Sequence, residues 1–514
     1  MLDSRNIWQL IADRAQATPD AAMLVDQDGR RITFGEYAAR CEQVAAGLHA
    51  NHGIGEGTVV SWQLPTWIES VVLVGALRRL GAIQNPILPI YRDREVGFIV
   101  KQAKPALLVV PSSFGGFDFA DMATRLTDGT GTEVLVSDKD LPSGDPATLP
   151  AAPDDDMEAE DSPVRWIFYT SGTTSDPKGA RHGDIAIRTA ARGMAAGLQL
   201  ADDDRSALAF PFTHIGGITW MYAGLDIGFT NILDQAFDPA TTIDVLRRED
   251  VTHAGAGTYF HQTYMKAQQD LPDGEMLFPH VRTFPGGGAP KPPQMHYTMK
   301  EQLGGVGIVS GYGLTEAPIL TMGSVDDPDE ALAHSEGKSV DGVTLRLVTL
   351  DGKDAGIDEE GEVRAKGPQI TRGYLDPVLD REAFDDDGWF VTGDLGKLDA
   401  DGNLRITGRI KDIIIRKGEN IPAKEVEDLL FAHPKVADVA VIGLQDDTVG
   451  ERACAVVVTA EGQDALTFEE MKQHLVGQGL ITRKLPEQLE IVDTLPRNPS
   501  GKILKFKLQE QYQD

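Results

Sequence analysis

The segment with the clearest chemical potential is a hydroxyl-rich loop after an apolar run. It reads Val164-Arg165-Trp166-Ile167-Phe168-Tyr169-Thr170-Ser171-Gly172-Thr173-Thr174-Ser175-Asp176-Pro177-Lys178-Gly179. Such a loop offers N–H, O–H and ammonium donors, which are the groups that wrap a polyphosphate. It is not a P-loop, because Lys178 precedes Gly179 and Ala180 instead of ending a Gly-Lys-Ser/Thr run that opens a helix. We predict a phosphate-binding loop; a plain surface loop is the alternative that this segment alone leaves open.

Five further motifs lie downstream of this loop. They are Gly286-Gly287-Gly288-Ala289-Pro290, Tyr312-Gly313-Leu314-Thr315-Glu316, Thr392-Gly393-Asp394, Gly408-Arg409-Ile410-Lys411-Asp412 and Pro499-Ser500-Gly501-Lys502. With the loop, and in this order, they make the sequence resemble the ANL superfamily of adenylate-forming enzymes, which includes acyl-CoA synthetases, adenylation domains and beetle luciferase. The resemblance spans nearly the whole chain. It implies an enzyme that makes AMP, pyrophosphate and an acyl-CoA from ATP, a carboxylic acid and coenzyme A.

The resemblance also implies a nucleotide site. Tyr312, flanked by glycines that let a ring approach, would stack on adenine, Asp394 would accept hydrogen bonds from both ribose hydroxyls, and Arg409 would make a second ribose contact. The residues alone also allow Tyr312 to be a core residue and Asp394 a turn residue. The remaining residues implied to bind the nucleotide are Thr170, Ser171, Gly172, Thr173, Thr174, Lys178, Gly287, Gly288, Ala289 and Gly313.

Three residues match catalytic positions of the superfamily. The Thr315 hydroxyl would meet the α-phosphate, and Glu316 would help to hold Mg²⁺, for which hard oxygen ligands are suited. Lys502 would bridge carboxylate and phosphate, two anions whose repulsion an ammonium reduces in the transition state. Outside their motifs, a Thr-Glu pair is a common helix start and a lysine near the C-terminus is usually a surface residue.

The resemblance implies a hinge near Lys411. A large N-terminal adenylate-forming domain (residues 1–408) would carry a small mobile lobe (residues 409–514). The lobe would first bring Lys502 to the phosphate and then swing so that Gly418 and its neighbours line an approach for coenzyme A.

The segment Phe212-Thr213-His214-Ile215-Gly216-Gly217 resembles the part of the family that lines the acyl tunnel. His214 would lie near the adenylate, although a lone histidine is often a structural residue. Amino-acid-activating relatives carry an aspartate here, and none occurs between Phe210 and Gly217. Because a buried ammonium without a partner would be costly, an acid with an uncharged tail is favoured, such as a fatty, alicyclic or aryl acid.

Two positions depart from the family pattern. Ser175 stands where the phosphate loop usually has glycine, which puts the adaptability of the loop in question. His182 does not keep the usual spacing from glycine to histidine and is left without a role.

The surrounding elements predict an α/β body. Thr33 and Glu36 form a capping-box pattern before a helical repeat that includes Cys41 as a core residue. Strands are expected at 58–64, 82–87 and 106–110, with a helix over 67–80 that Gly81 ends. This alternation predicts parallel pairing.

Later segments predict a change from parallel to antiparallel strand pairing. Asp351-Gly352 and Asp401-Gly402 read as hairpin turns and predict antiparallel sheet. A compact final unit should follow, with helices over 423–431 and 468–475 and strands over 439–444 and 453–458. The expected fold is thus α/β, with a multi-subdomain body of parallel and antiparallel sheets and a small α+β lobe.

Composition limits the partners and the cellular location that we expect. The formal net charge of −31 opposes a nucleic-acid or anionic-membrane partner. The two cysteines, Cys41 and Cys454, fit neither a disulfide framework nor a thiolate metal site, and the longest aliphatic runs are too short to span a membrane. We therefore expect a cytoplasmic enzyme without a membrane span.

Two other functions remain compatible with these observations. One is an adenylating ligase that loads the pantetheine arm of a carrier protein, because that arm presents the same thiol as coenzyme A. The other is a degenerate homologue that only binds nucleotide or acyl ligand, against which the intact Lys502, Glu316 and Asp394 argue.

Overall fold

The computed structural model describes residues 1–513 except 3, 5, 155–161, 171–175, 289–290, 417–418, 447 and 499–500. The α-helices of this part of the chain are α1 Ile7–Ala17, α2 Phe34–His52, α3 Ile68–Arg79, α4 Asp93–Ala103, α5 Phe119–Thr127, α6 Asp184–Leu198, α7 Ile215–Ile227, α8 Thr242–Arg248, α9 Thr258–Gln269, α10 Pro293–Leu303, α11 Asp329–His334, α12 Asp380–Ala383, α13 Ala423–Phe431, α14 Phe468–Gly477 and α15 Lys505–Tyr512.

The strands alternate with these helices through most of the chain. They are β1 Ala22–Asp26, β2 Arg31–Thr33, β3 Val59–Trp62, β4 Ile83–Pro86, β5 Leu107–Val110, β6 Ser113–Phe114, β7 Phe117–Asp118, β8 Glu133–Val136, β9 Trp166–Thr170, β10 Lys178–His182, β11 Arg205–Leu208, β12 Thr230–Leu233, β13 Phe284–Gly286, β14 Ile308–Tyr312, β15 Thr321–Met322, β16 Lys338–Ser339, β17 Thr344–Val348, β18 Gly361–Lys366, β19 Phe390–Leu398, β20 Leu404–Arg409, β21 Ile413–Arg416, β22 Glu419–Pro422, β23 Val436–Asp446, β24 Gly450–Thr459 and β25 Gln488–Val492.

Three sheets with parallel pairs form the first part of the body. The largest has the order β10-β9-β4-β3-β5-β8 and is parallel except for the β9–β10 pair. The other two have the orders β11-β12-β1-β2 and β13-β14-β15-β16. The predicted α/β class and parallel pairing are confirmed.

Local signals predicted the early elements correctly. The Thr33–Glu36 capping box forms at the start of α2, and the helix ends at Gly53 in a left-handed conformation. Cys41 is fully buried, and burial raises the pKa of its thiol well above the ordinary value. It is a core residue and not a nucleophile.

Antiparallel pairing dominates later in the chain. The sheet β17-β18-β19-β20 is entirely antiparallel, and Gly352 and Gly402 lie in turns with φ of 84°. The predicted antiparallel sheet is confirmed. One consequence matters for the site: β19 and β20 place residues 394 and 409 side by side.

The C-terminal unit, residues 413–513, is built on the sheet β22-β21-β24-β23, with β25 paired in parallel to β24. One face packs against α13 and α14 around Val426 and Met471, and the other packs around Cys454 and Leu508. The helix α13 has the predicted bounds, while β23 and β24 are longer than predicted. No helix among the described residues is long and apolar enough to cross a bilayer.

Candidate active site

Tyr312 forms the floor of the candidate site at the carboxyl end of β14. The next residue, Gly313, lies so close to the returning chain that an added Cβ would stand 2.4 Å from the backbone nitrogen of Ile319. Only glycine fits there. The tyrosine side chain is 8% exposed, and its hydroxyl donates a hydrogen bond of 2.7 Å to Oδ2 of Asp394. Burial, with Asp394 nearby, raises the Tyr312 pKa well above its ordinary value, so the phenol stays a donor.

Asp394 and Arg409 form a cross-strand pair directly beside this ring. They face each other in the β19–β20 register, and Nε of Arg409 lies 2.7 Å from Oδ1 of Asp394. The carboxylate is 2% exposed. Burial alone would lower the pKa of Arg409, but Asp394 and Asp412 raise it above its ordinary value. Because a carboxylate has about four acceptor sites, these two protein donors leave room for ligand hydroxyls.

A cavity of about 360 Å³ opens between the N-terminal body and the C-terminal unit. This volume lies within the usual range of small-molecule sites. The predicted site residues that line it are Gly288, Tyr312, Gly313, Asp394, Arg409, Lys411 and Lys502. The structure therefore brings residues that are up to 214 positions apart in the sequence into one cleft.

Lys502 enters this cleft from a short hairpin. Arg497 and Ile503 form a β-bridge, and the Lys502 backbone N–H donates to the Asn498 side-chain oxygen at 2.9 Å. No hydrogen bond or ion pair joins the Lys502 ammonium to any residue that the structure describes. Burial and, to a smaller extent, the positive charges of Arg409 and Lys411 together lower its pKa to about 8.

Lys411 belongs to the same group of cations. Desolvation and the neighbouring Arg409 lower its pKa, while Asp412 and Asp394 oppose the shift. Immediately around Lys502, three cations (Arg409, Lys411 and Lys502) thus accompany two carboxylates (Asp394 and Asp412), whereas the described lining of the whole cleft has six cations and seven carboxylates. This local excess of positive charge suits a polyanion, in a chain that is strongly acidic as a whole.

The Thr315–Glu316 pair is held in place by two residues from distant strands and loops. The Tyr374 hydroxyl donates to Oε1 of Glu316 at 2.7 Å, and Nε2 of His182 lies 2.9 Å from the Thr315 carbonyl oxygen. Burial lowers the His182 pKa to about 4, so the ring is neutral and can donate from Nε2. His182, which the sequence left without a role, supports the Thr315 backbone.

The predicted phosphate loop is framed by the β9–β10 hairpin. Thr170 and Lys178 are directly opposite each other in its register. The Lys178 ammonium lies 5.6 Å from the centre of the Tyr374 ring. Tyr374 is also the residue whose hydroxyl donates to Glu316. Ser171, Gly172, Thr173, Thr174 and the divergent Ser175 lie outside the described residues, as do Ala289 and Gly418.

His214 caps the N-terminus of α7. Its Nδ1 accepts a hydrogen bond of 3.1 Å from the Gly216 backbone N–H, which leaves the ring proton on Nε2. Burial lowers the pKa of His214 to about 4, so the ring is neutral. It is not among the described residues that line the cleft, and its catalytic role stays a prediction.

Sequence reasoning missed the contacts that orient the site residues. The Tyr312–Asp394 hydrogen bond spans 82 residues, and the Tyr374–Glu316 bond spans 58. Arg409 was expected beside the ribose, and its partner here is Asp394 itself. No local signal marks Tyr374 or His182, because their roles depend entirely on which strands become neighbours.

Comparison with known families identifies the chain. A family model described as AMP-binding enzyme matches residues 11–375, and a second, described as AMP-binding enzyme C-terminal domain, matches residues 425–502. The chain belongs to the AMP-binding enzyme family. Its membership of the adenylate-forming superfamily, expected from the motifs, is confirmed.

Curated relatives of this AMP-binding enzyme match it over almost its full length. A medium-chain fatty-acid–CoA ligase of Escherichia coli is 30% identical, with 98% of this chain and 89% of that protein covered. A long-chain fatty-acid–CoA ligase of Mycobacterium tuberculosis is 31% identical, with 99% of both chains covered. A salicyl-AMP ligase/salicyl-S-ArCP synthetase of the same species is 30% identical, with 99% of this chain and 91% of that protein covered.

Solved structures are similar over the same extent. ATP-bound MatB from Rhodopseudomonas palustris has a TM-score of 0.86 and 28% identity, with 99% of both chains covered. O-succinylbenzoate coenzyme A synthetase from Bacillus subtilis, in complex with ATP and magnesium ion, has a TM-score of 0.82 and 27% identity, with 97% of this chain and 99% of that chain covered. Taken with the family models, these matches establish an ATP-dependent, AMP-forming acid–thiol ligase.

Proposed function

We propose that this AMP-binding enzyme activates a hydrophobic carboxylic acid with ATP and transfers the acyl group to coenzyme A. The observation that carries the proposal is the shared cleft, in which the Tyr312–Asp394–Arg409 group and the Lys502 ammonium face one cavity. Full-length similarity to two fatty-acid–CoA ligases supports both the acid and the acceptor.

In the first half-reaction, adenine would stack on Tyr312 and the ribose hydroxyls would meet Asp394. A carboxylate oxygen of the acid attacks the α-phosphorus, the bond from that phosphorus to the bridging oxygen of the β-phosphate breaks, and pyrophosphate leaves. Lys502 and the Thr315 hydroxyl would stabilise the charge that builds on the α-phosphate. With a pKa of about 8, the Lys502 ammonium is mostly charged at neutral pH.

Magnesium fits the donors that the site offers. Magnesium prefers oxygen ligands and is commonly bound by one or two carboxylates together with phosphate oxygens and water. Glu316, oriented by Tyr374, would supply the protein ligand. When bound, the ion neutralises phosphate charge. Thr170, Lys178 and the loop 171–175 between them would hold the β- and γ-phosphates.

In the second half-reaction, residues 409–514 would rotate about Lys411 as one lobe. This movement would withdraw Lys502 and bring Gly418 to an approach for coenzyme A. The thiol, as thiolate, attacks the acyl carbon, the bond to the phosphate oxygen breaks, and AMP leaves.

The segment around His214 favours an acid with an uncharged tail. Its imidazole is neutral, and its Nε2–H remains a donor that could bind a carboxylate oxygen. Phe212 is buried against Trp62, with ring centres 6.0 Å apart, and no acidic residue lies between Phe210 and Gly217. Fatty, alicyclic and aryl acids share the chemistry that such surroundings accept.

We place the reaction in the cytoplasm, where ATP and coenzyme A are available.

A carrier protein is the second candidate acceptor. The similarity to a salicyl-AMP ligase/salicyl-S-ArCP synthetase favours it, since that relative is as similar to this chain as the fatty-acid–CoA ligases are. Its pantetheine arm would enter by the same route as coenzyme A.

The test is a panel of fatty, alicyclic, aryl and amino acids, assayed for acid-dependent AMP release with coenzyme A or a pantetheine-loaded carrier protein as acceptor. We expect release only with apolar acids and turnover with free coenzyme A. Turnover with the carrier alone would favour the second candidate. Pyrophosphate exchange that needs no acid, or that no acid elicits, would contradict acyl activation altogether.

A further inference from the structure

Arg497 contacts three separate parts of the molecule at once. Its Nη2 lies 2.5 Å from Oδ2 of Asp438, its Nη1 donates to the carbonyl oxygen of Gly501, and its guanidinium carbon stands 6.0 Å from the centre of the Tyr259 ring. Asp438 belongs to β23 of the C-terminal unit, whereas Tyr259 lies in α9 of the N-terminal body. The Arg497 side chain is only 15% exposed. It therefore connects the two units immediately beside Lys502.

The backbone before Lys502 rests on the same tyrosine. Gly501 has a φ of 82°, and an added Cβ at this position would lie 3.1 Å from Cβ of Tyr259. The tyrosine ring is itself packed edge-on against Phe237 and Phe260, each at 5.8 Å between ring centres. Tyr259 is thus a fixed surface on the body against which the Gly501–Lys502 segment stops.

We propose that Arg497 is a positioning residue that aims Lys502 into the cleft when the C-terminal unit is docked on Tyr259. The inference rests on the proposed role of Lys502 as the cation of the adenylating half-reaction. Arg497 fixes the carbonyl that precedes Lys502, and it completes its contacts only where the body supplies the aromatic ring. The Lys502 ammonium, which lacks a partner of its own among the described residues, depends on this backbone anchor for its direction.

The chemistry of the contact requires arginine. A guanidinium is a planar group whose N–H donors can hydrogen-bond to two acceptors at once while its face lies against an aromatic ring. A lysine at position 497 could keep the ion pair with Asp438, but it could not also hold the Gly501 carbonyl in the same geometry. Arg497→Lys is therefore the variant that separates positioning from charge.

The experiment measures two half-reactions on the full-length chain. Acid-dependent pyrophosphate exchange reports adenylation, and release of acyl-CoA from a supplied acyl-adenylate reports thioester formation. The variants are Arg497→Lys, Tyr259→Ala and Lys502→Ala, with Tyr259→Phe as the matched control that keeps the ring. Thermal unfolding verifies that each variant is folded, and Arg497→Lys retains the Asp438 pair that stabilises β23.

For Arg497→Lys we expect kcat of pyrophosphate exchange to fall about tenfold to a hundredfold, the effect of one lost charge-assisted hydrogen bond, with KM for ATP unchanged. Thioester formation should change less than about twofold, because that step does not use the docked lysine. Tyr259→Ala should show the same selective loss, and Tyr259→Phe should behave like the unmodified enzyme.

Two other results separate the inference from the function on which it rests. If Lys502→Ala loses adenylation selectively while Arg497→Lys keeps full exchange or loses both half-reactions equally, the assignment of Arg497 is overturned and the proposed function stands. If Lys502→Ala itself impairs both half-reactions to the same extent, the role of Lys502 is wrong and the positioning role falls with it.

Discussion

The two ends of the cleft are built in opposite ways. At the end that we propose binds ribose, called here the ribose end, Asp394 has a hydrogen bond from Tyr312 and an ion pair with Arg409. Asp394 lies within β19 opposite Arg409, the last residue of β20, and Tyr312 is the last residue of β14. At the lysine end, the Lys502 ammonium has no partner among the described residues and is aimed through its backbone by a hairpin and Arg497. The ribose end is organised before substrate arrives, whereas the lysine end is completed by docking.

This difference follows from what each group must do. A buried carboxylate is costly unless it is paired and hydrogen-bonded, and Asp394 is both. The Lys502 ammonium has no ion-pair partner in the part of the chain that the structure describes, and burial beside Arg409 and Lys411 lowers its pKa to about 8. Its charge is thus available for a substrate anion. In the proposed mechanism, nucleotide binding is needed in both half-reactions, while the ammonium is needed in only one.

The largest expected effect is at the lysine end. Lys502→Ala should lower kcat of acid-dependent pyrophosphate exchange by about a hundredfold to a thousandfold, because a single preorganised donor to transition-state charge has this weight. Acyl-CoA formation from a supplied adenylate should be almost unchanged. Equal losses in the two assays would show that Lys502 does not act in adenylation alone, and they would contradict the proposed difference between the two ends of the cleft.

The ribose end should respond in both half-reactions. Asp394→Asn removes the charge that pairs with Arg409, and we expect KM for ATP and the apparent affinity for the adenylate to weaken by about tenfold to a hundredfold. Tyr312→Phe keeps the ring and removes only one hydrogen bond, so its loss should be smaller. Titration of ATP and of a non-hydrolysable adenylate analogue measures both. A defect confined to adenylation would place Asp394 with Lys502 instead.

The pH dependence of adenylation should report Lys502. The ammonium is charged below its pKa of about 8, so kcat/KM for ATP should be level below this pH and fall about tenfold per pH unit above it. The matched control is Lys502→Arg, since a guanidinium does not lose its proton in this range and the alkaline limb should move upward. If the decrease in kcat/KM near pH 8 persists in Lys502→Arg, it is caused by the titration of another group.

The smallest expected effect concerns the orientation of Glu316. Tyr374→Phe removes the 2.7 Å hydrogen bond to this carboxylate, and we expect the Mg²⁺ concentration for half-maximal exchange to rise by roughly threefold to tenfold. A magnesium titration at saturating ATP measures the change. If Glu316→Gln leaves the magnesium requirement as it is, Glu316 does not serve as the metal ligand.

The sequence predicted those features that depend on neighbours in the chain. The capping box at Thr33 and the bounds of α13 follow from local patterns of apolar, acidic and turn residues. The motifs likewise indicated Tyr312, Asp394 and Lys502, and the structure brings these three to one cavity.

Features that depend on contacts between distant segments were not predicted. The pair Arg409–Asp394 follows from the register of β19 and β20, and the support of Thr315 by His182 joins residues 133 positions apart. Tyr259 gave no sequence signal, since it becomes a docking surface only when α9 meets the Gly501 turn. A single sequence does not specify which of its distant segments will meet.

The placement of the cleft between two units has a cost for the intermediate. On the proposed rotation, the wall that shields the acyl-adenylate from water is removed before the thiol can reach it. A mixed anhydride exposed in this way is open to hydrolysis. If Tyr312 and Asp394 bind its nucleotide as proposed, they would retain the intermediate on the enzyme until the thiol arrives and so shorten the time for which it is exposed.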